Sequence, residues 1–150
     1  MKFTTTLFSI LLIFAASLNL ANAADQVIGS VKNVEGNAFI NRNGENIVAT
    51  KGHKLYQNDI LLTEDGSSMG VILRDDTLIS LGENTEIAIN EFRFAPAQQD
   101  LSIITRMARG IITYVSGQIA KLSPESARFE TPVASIGVRG TKFLVKIDDN

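Results

Sequence analysis

Short alternating runs of apolar and polar residues dominate the chain from Val27 onward. The apolar positions are mostly Val, Ile, Leu and Phe, and turn residues separate the runs at close spacing. This alternation is typical of strands with one buried face. Asn43-Gly44 interrupts the first such region, and both residues tolerate the positive φ angles of a two-residue hairpin turn. The pattern predicts an all-β chain with a hairpin near its start.

An eight-residue repeat follows in the middle of the chain. Its apolar positions are Val71, Ile79 and Ile87, and, two places later, Leu73, Leu81 and Ile89. The polar triplets Asp75-Asp76-Thr77 and Glu83-Asn84-Thr85 occupy equivalent places between them. The repeat predicts strands of about three residues joined by tight turns. Units this small must stack to bury a face, either as a short-stranded β-solenoid or as a compact meander.

Little helix is expected. Ser123-Pro124-Glu125 can form a single turn, because serine can cap a helix and proline suits its first position. Gly110 ends any helix that would start at Leu101, and residues 111–115 are predicted as a strand. Residues 95–99 are expected to be a linker that joins parts of one sheet.

The segment from Thr131 to Val145 combines a proline, two glycines and two cations with apolar residues. Pro132 fits the start or the edge of a strand. Gly137 and Gly140 flank Arg139, so this arginine is expected on a short segment of special conformation. We expect Arg139 to pair with Asp75 or Asp76, and contact with an anionic ligand is the alternative.

Residues 142–147 alternate in character within that same C-terminal region. Phe143, Val145 and Ile147 alternate with Lys142, Leu144 and Lys146. This alternation predicts a strand with one buried face.

The first 23 residues are predicted to be a cleaved secretory signal. Lys2 supplies the positive start, residues 7–18 are the apolar core, and Ala21-Asn22-Ala23 is a small-x-small cleavage signal. The 12-residue apolar run is shorter than the roughly 20 residues that a spanning helix needs. The mature chain, residues 24–150, is the size of one domain, and no stable transmembrane segment is expected after processing.

Composition excludes several classes of function. The chain has no cysteine, so disulfides, thiol nucleophiles and soft metal sites are excluded. The mature part keeps 13 of the 14 basic residues, because Lys2 lies in the leader, and all 16 acidic ones, which gives a net charge of −3. Because the cations are dispersed, no nucleic-acid surface is predicted.

No catalytic constellation is visible in the sequence. Asp75 and Asp76 are adjacent residues of a predicted turn, where both side chains usually face water. His53 is the only histidine, so neither a histidine metal cluster nor a serine triad is expected. The sequence predicts a protein that is not an enzyme and that has no cofactor and no metal site.

A series of short blocks resembles the FecR domain, the family named for the iron-dicitrate transport regulators. In order they are Gly29-Ser30-Val31, Gly52-His53-Lys54-Leu55, Asn58-Asp59-Ile60, Asp65-Gly66-Ser67, residues 73–81, Asn84-Thr85-Glu86-Ile87, Thr131-Pro132-Val133-Ala134 and Val138-Arg139-Gly140-Thr141. The resemblance covers roughly residues 28–147, and its last block is the most recognisable.

The resemblance implies a bacterial periplasmic β domain. In the full regulators this domain follows a cytoplasmic anti-sigma segment and a membrane helix, whereas a signal peptide is predicted here, so direct anti-sigma activity is not expected. We expect a non-enzymatic interaction or sensor module that binds a protein or another envelope component. Recognition of a glycan or small ligand, or a part in iron-linked transmembrane signalling, are the alternatives. The candidate binding residues are Arg139, Gly140, Thr141, Asp75 and Asp76.

Overall fold

The computed structural model describes residues 26–148, which form twelve strands and little helix. The strands are β1 (Val27–Glu35), β2 (Ala38–Arg42), β3 (Glu45–Val48), β4 (Lys54–Tyr56), β5 (Ile60–Thr63), β6 (Ser68–Leu73), β7 (Leu78–Leu81), β8 (Glu86–Ala95), β9 (Asp100–Val115), β10 (Ala127–Glu130), β11 (Ser135–Gly137) and β12 (Lys142–Ile147). One α-helix, α1 (Gln118–Leu122), and two 3-10 turns, Pro96–Gln98 and Pro124–Ser126, complete the described part. The predicted signal peptide lies outside the described residues.

The strands form one curled sheet, which confirms the all-β prediction. Its main path runs β3-β2-β5-β8-β9-β7-β6-β1-β4; off this path, β10 and β12 pair with β9, and β11 pairs with β10. Every paired neighbour is antiparallel except β9 with β10. Successive coils of a solenoid stack strands in parallel, so the antiparallel pairing contradicts the solenoid and favours the compact alternative, although the strand order is not the sequential order of a simple meander.

A long bent ribbon runs through the sheet. β7 and β8 follow one another along the same side of β9, so that Leu81 pairs with Ile112 and Glu86 with Arg109. The other side of β9 pairs first with β10 and then with β12. The ribbon bends at Gly110, whose φ is +97°. β9 therefore belongs to both halves of the curled sheet.

The repeat forms the centre of the core, as predicted. Its six apolar residues are all at most 2% exposed. Both polar triplets are turns, in which Asp76 and Asn84 adopt positive φ angles of 67° and 49°. The expected length of about three residues holds for β7, which has four, and was wrong for β6 and β8, which have six and ten.

Several local predictions are confirmed. Asn43 and Gly44, with φ angles of 53° and 86°, form the two-residue turn between β2 and β3. Residues 95–99 connect the paired strands β8 and β9. The turn at Ser123 is a 3-10 turn, but Ser123 caps no backbone amide. Helix α1 just before it was not predicted.

A buried carboxylate lies in the connection between β4 and β5. Asp59 occupies this turn, yet its side chain is only 1% exposed. Arg42 binds it through two hydrogen bonds of 2.8 Å, and the guanidinium lies 4.5 Å from the centre of the Tyr56 ring. The carboxylate also accepts the Tyr56 amide at 2.8 Å. This ion pair ties the β2–β3 hairpin to the connection between β4 and β5.

Three aromatic rings join the two halves of the sheet at the β12 side. The Tyr114 and Phe143 rings stack at 5.0 Å, and Phe129 meets them edge-on at 5.8 and 5.5 Å. Offset and edge-on contacts of this kind stabilise a core beyond the area they bury.

Burial raises the pKa of the Tyr114 hydroxyl above its ordinary range, and the nearby charge of Asp75 adds to the shift. An unfolded tyrosine ionises near pH 10, so unfolding releases a proton above that pH. The free energy of unfolding should then fall with rising pH, by up to about 1.4 kcal/mol per pH unit. Tyr114→Phe should remove this contribution. Urea titrations of both proteins between about pH 9 and about pH 11 measure it, and parallel curves would contradict the prediction.

Candidate functional site

The C-terminal block, defined here as residues 131–147, contains the most recognisable motif of the sequence. It consists of a turn after β10, strand β11, a loop at residues 138–141, and strand β12. The turn holds Pro132, which was expected at the start or the edge of a strand. Pro132 lies in the turn and not in a strand. The turn is closed by two hydrogen bonds: the Thr131 amide donates to Ala134 O, and the Ala134 amide donates to the Thr131 hydroxyl.

The loop between β11 and β12 is fixed at both ends. Val138 is 2% exposed and donates its amide to Ala127 O at 3.0 Å. At the other end, Thr141 donates its amide to Ser116 Oγ at 2.8 Å and accepts the Ser116 amide at 3.0 Å. Arg139 and Gly140, with φ +57° at the glycine, lie exposed between these anchors. The loop therefore presents the arginine on a constrained backbone.

Asp75 serves the fold rather than the surface, which corrects the expectation that it faces water. It is 0% exposed, and its carboxylate accepts the Thr77 hydroxyl at 2.8 Å and amide at 3.1 Å. The Ile119 amide in the first turn of α1 donates to the same carboxylate at 3.3 Å. Gly117 has no side chain to cap this helix, so a carboxylate from the β6–β7 turn satisfies one of its free amides.

The expected ion pair between Arg139 and Asp75 or Asp76 is wrong. Among the ion pairs of residues 26–148, none joins Arg139 to either aspartate. Asp75 is enclosed by Thr77 and α1, and the exposed Asp76 accepts the side-chain amide of Gln118 at 2.7 Å. Residues 116–118 nevertheless connect the two sets of candidate residues, because they contact both the turn at residues 75–77 and Thr141.

Asp75→Asn should lower the free energy of unfolding by about 2 kcal/mol. One carboxylate oxygen becomes an NH2 group, which cannot accept the hydrogen bonds that Thr77 and the Ile119 amide donate there. Asp76→Asn is the matched control at the neighbouring exposed position and should change stability by less than about 0.5 kcal/mol. Urea unfolding followed by circular dichroism measures both. Equal effects would show that burial of Asp75 has no energetic role.

Two strand edges of the C-terminal block are open. Within the described residues, β11 pairs only with β10, and β12 pairs only with β9. Three of the six large exposed hydrophobic side chains of residues 26–148 also lie here: Val133 is 95% exposed, Leu144 is 65% exposed, and Ile136 is 40% exposed. Unpaired edges are templates for another strand, and exposed side chains beside such an edge can add to the contact.

Residues 127–147 carry a net charge opposite in sign to that of residues 26–126. Residues 127–147 contain four basic side chains, Arg128, Arg139, Lys142 and Lys146, and one acidic side chain, Glu130, for a net charge of +3. Residues 26–126 contain nine basic and twelve acidic residues, for a net charge of −3. Strands β10 to β12 therefore form a cationic region after a long acidic one, and Asp148 follows them directly.

A groove of about 660 Å³ separates β9 from the turn after β10. Its floor is Met107 and Ala108, where pairing with β10 has ended and pairing with β12 has not begun. Arg106 and Glu130 form an exposed ion pair of 2.7 Å at its rim. The groove thus combines a short stretch of open strand with polar side chains.

No metal-binding cluster emerges within the part of the chain that the structure describes. Residues 26–148 contain no group of three or more His, Asp or Glu side chains placed to hold a metal ion. They also contain no helix long and apolar enough to cross a membrane.

Sequence reasoning missed the open edges, because strand partners are set by the fold. One signal was present in the sequence: Leu144 interrupts the polar face of an otherwise regular alternation. The burial of Asp75 and Asp59 had no comparable signal, since both residues lie in ordinary turn sequences.

The fold and this region define an all-β domain with an open, cationic sheet edge. Residues 59–150, more than half of the chain, match the family model described as FecR protein, and the chain belongs to the FecR family. No curated protein and no solved structure matches the chain. FecR domains are periplasmic, and the family is regulatory and signalling and not known as enzymatic, so membership suggests a periplasmic regulatory or signalling module.

Proposed function

We propose that the protein is a non-enzymatic periplasmic interaction module whose C-terminal block binds another protein of the cell envelope. The observation that carries this proposal is the coincidence of two open strand edges with exposed Val133, Ile136 and Leu144. Strand edges supply main-chain hydrogen bonds to a partner, and neighbouring side chains supply specificity. Family membership and the predicted signal peptide support the periplasmic location.

Within this proposal the predicted binding residues divide into four exposed residues and one enclosed residue. Arg139, Gly140 and Thr141 lie beside β12, and the arginine is exposed, so this group contributes to the contact surface. Asp76 is also exposed, and its carboxylate accepts the side-chain amide of Gln118. Asp75 is enclosed, and its part is to hold α1 and the aspartate turn in place.

A second candidate function is recognition of an envelope glycan or another small ligand. It is favoured by the groove beside β9, whose lining includes Arg106, Glu130, Thr131 and Ser135. A ligand that binds only the folded state raises the melting temperature. Thermal shift with cell-wall fragments tests this candidate, and Arg106→Ala should abolish any shift that arises in the groove.

Photo-crosslinking in cells tests the interaction module. A photoreactive amino acid at Leu144 should give a discrete protein adduct, because this side chain lies on the open edge of β12. The same substitution at Val48 is a matched control, since Val48 on β3 is 64% exposed against 65% for Leu144. We expect an adduct at Leu144 and none of the same mass at Val48.

The result that overturns the proposal is equally specific. If the Leu144 variant folds, is exported and gives no protein adduct, the C-terminal block is not a protein-binding surface. Identical adducts at both positions would mean that exposure alone, and not this block, determines the crosslink.

A further inference from the structure

The outward face of β12 has an ordered chemical pattern. Lys142, Leu144 and Lys146 are exposed, whereas Phe143, Val145 and Ile147 face the aromatic core and are half-buried. Because strand side chains alternate between faces, the outward row reads cation, apolar, cation at successive positions. The six residues of β12 pair with residues 110–115 of β9, which leaves the opposite side of the strand open within the described chain.

Lysines on an edge strand also serve to prevent unwanted pairing. Two observations indicate that the lysines of β12 do more than prevent unwanted pairing. Leu144 is 65% exposed between the two lysines, where a protective edge would place a polar residue. The positive charge also extends past the strand, because residues 127–147 carry a net charge of +3 against −3 for residues 26–126. Among the described residues Lys146 forms an exposed 2.8 Å pair with Asp148, and exposed pairs of this kind are weak.

We propose that β12 accepts an acidic, extended segment of a partner protein as an added strand. This inference rests on the proposed function and names the partner's chemistry. Side chains directly opposite each other on paired strands attract when their charges differ and repel when they match. The segment should therefore place carboxylates opposite Lys142 and Lys146 and an apolar side chain opposite Leu144.

The inward face adds a second requirement on the partner. The partner residues that point inward would lie beside Phe143, Val145 and Ile147, so these partner residues should be apolar. The complementary segment thus has two acidic residues four positions apart with three apolar residues between them. Because this pattern is symmetric, it fits a parallel or an antiparallel added strand.

Synthetic peptides test the inference on the expressed protein. The first probe is a capped peptide that contains Glu-Val-Val-Val-Glu between soluble flanks. The second replaces both Glu residues by Lys, and the third keeps Glu but carries N-methyl groups on the amides of one edge. Titration by fluorescence anisotropy gives affinity, and hydrogen–deuterium exchange locates protection. We expect protection of residues 142–147 by the first peptide and binding weaker by about tenfold or more for the other two.

Charge-reversed variants locate the contact. Lys142→Glu combined with Lys146→Glu should weaken binding of the acidic peptide by about tenfold or more and should favour the lysine peptide instead. Lys32→Glu combined with Lys51→Glu makes the same charge change at exposed positions away from β12 and should leave binding nearly unchanged. Circular dichroism verifies that both double variants are folded.

The outcomes separate this inference from the proposed function. One outcome would keep the proposed interaction module but overturn the acidic added strand. In that outcome Leu144 gives an adduct in cells, the peptides do not bind, and the charge reversal on β12 does not change the adduct. Equal binding of the acidic and lysine peptides overturns the charge requirement, and binding of the N-methylated peptide overturns strand addition. Protection of residues 142–147 that grows with protein concentration alone would make the occupant a second copy and would also overturn the inference.

Discussion

Gly110→Ala should abolish or nearly abolish folding. A Cβ atom at this position would lie 2.3 Å from Thr85 Oγ1, 2.4 Å from Thr85 Cα and 2.7 Å from Asn84 O. Two of these are backbone atoms of the facing turn, so they cannot move aside as a flexible side chain would. The φ angle of +97° adds strain for any residue with a side chain. We expect a loss of more than about 4 kcal/mol, a large part of the stability of a domain of this size.

Chemical denaturation and circular dichroism measure the effect. Gly137→Ala is the matched control, because an added Cβ there meets nothing within 4 Å and its φ is not positive. It should change the free energy of unfolding by less than about 1 kcal/mol. A folded Gly110→Ala protein of normal stability would show that the ribbon can bend at another residue.

Arg42→Ala should also be strongly destabilising. It leaves the Asp59 carboxylate, which is 1% exposed in the folded protein, without its two charged hydrogen bonds. Breaking a buried pair by removing one partner costs about 3 to 5 kcal/mol. The arginine is itself 27% exposed, so water can reach part of the vacated space, and we expect the lower end of that range.

Arg106→Ala is the control for this prediction. Arg106 also binds a carboxylate, that of Glu130, at 2.7 Å, but its side chain is 63% exposed. An exposed pair of this kind contributes up to about 1 kcal/mol. Urea unfolding of both variants should therefore differ by about 2 kcal/mol or more. Similar losses would mean that burial of Asp59 is not what makes its ion pair important.

Features that depend on a few neighbouring residues were predictable from the sequence. Asn43 and Gly44 determine a turn by their own backbone preferences, and the eight-residue repeat places its six apolar side chains in the core through strand alternation. The approximate position of the candidate site was also predictable, because Arg139 lies in a distinctive motif between two glycines.

Features that depend on distant residues were not predictable. Asp75 is buried because Gly117 and α1, more than forty positions later, pack against its turn. Gly110 was interpreted as the end of an element, although a glycine at positive φ can bend a strand without ending it. The open edges of β11 and β12 follow from which strands lie beside β9, and that order is set by the whole sheet.

The sharing of β9 by both halves of the sheet has a consequence for cooperativity. Its first ten residues pair with β8, and its last four pair with β7, so each half of the sheet loses a hydrogen-bonded neighbour if this strand leaves. The two halves cannot melt as independent units. Strands β10 and β12 both pair with β9, so the proposed binding edge depends on the folding of the entire domain. A partner bound at that edge would stabilise the protein as a whole, including residues that it never touches.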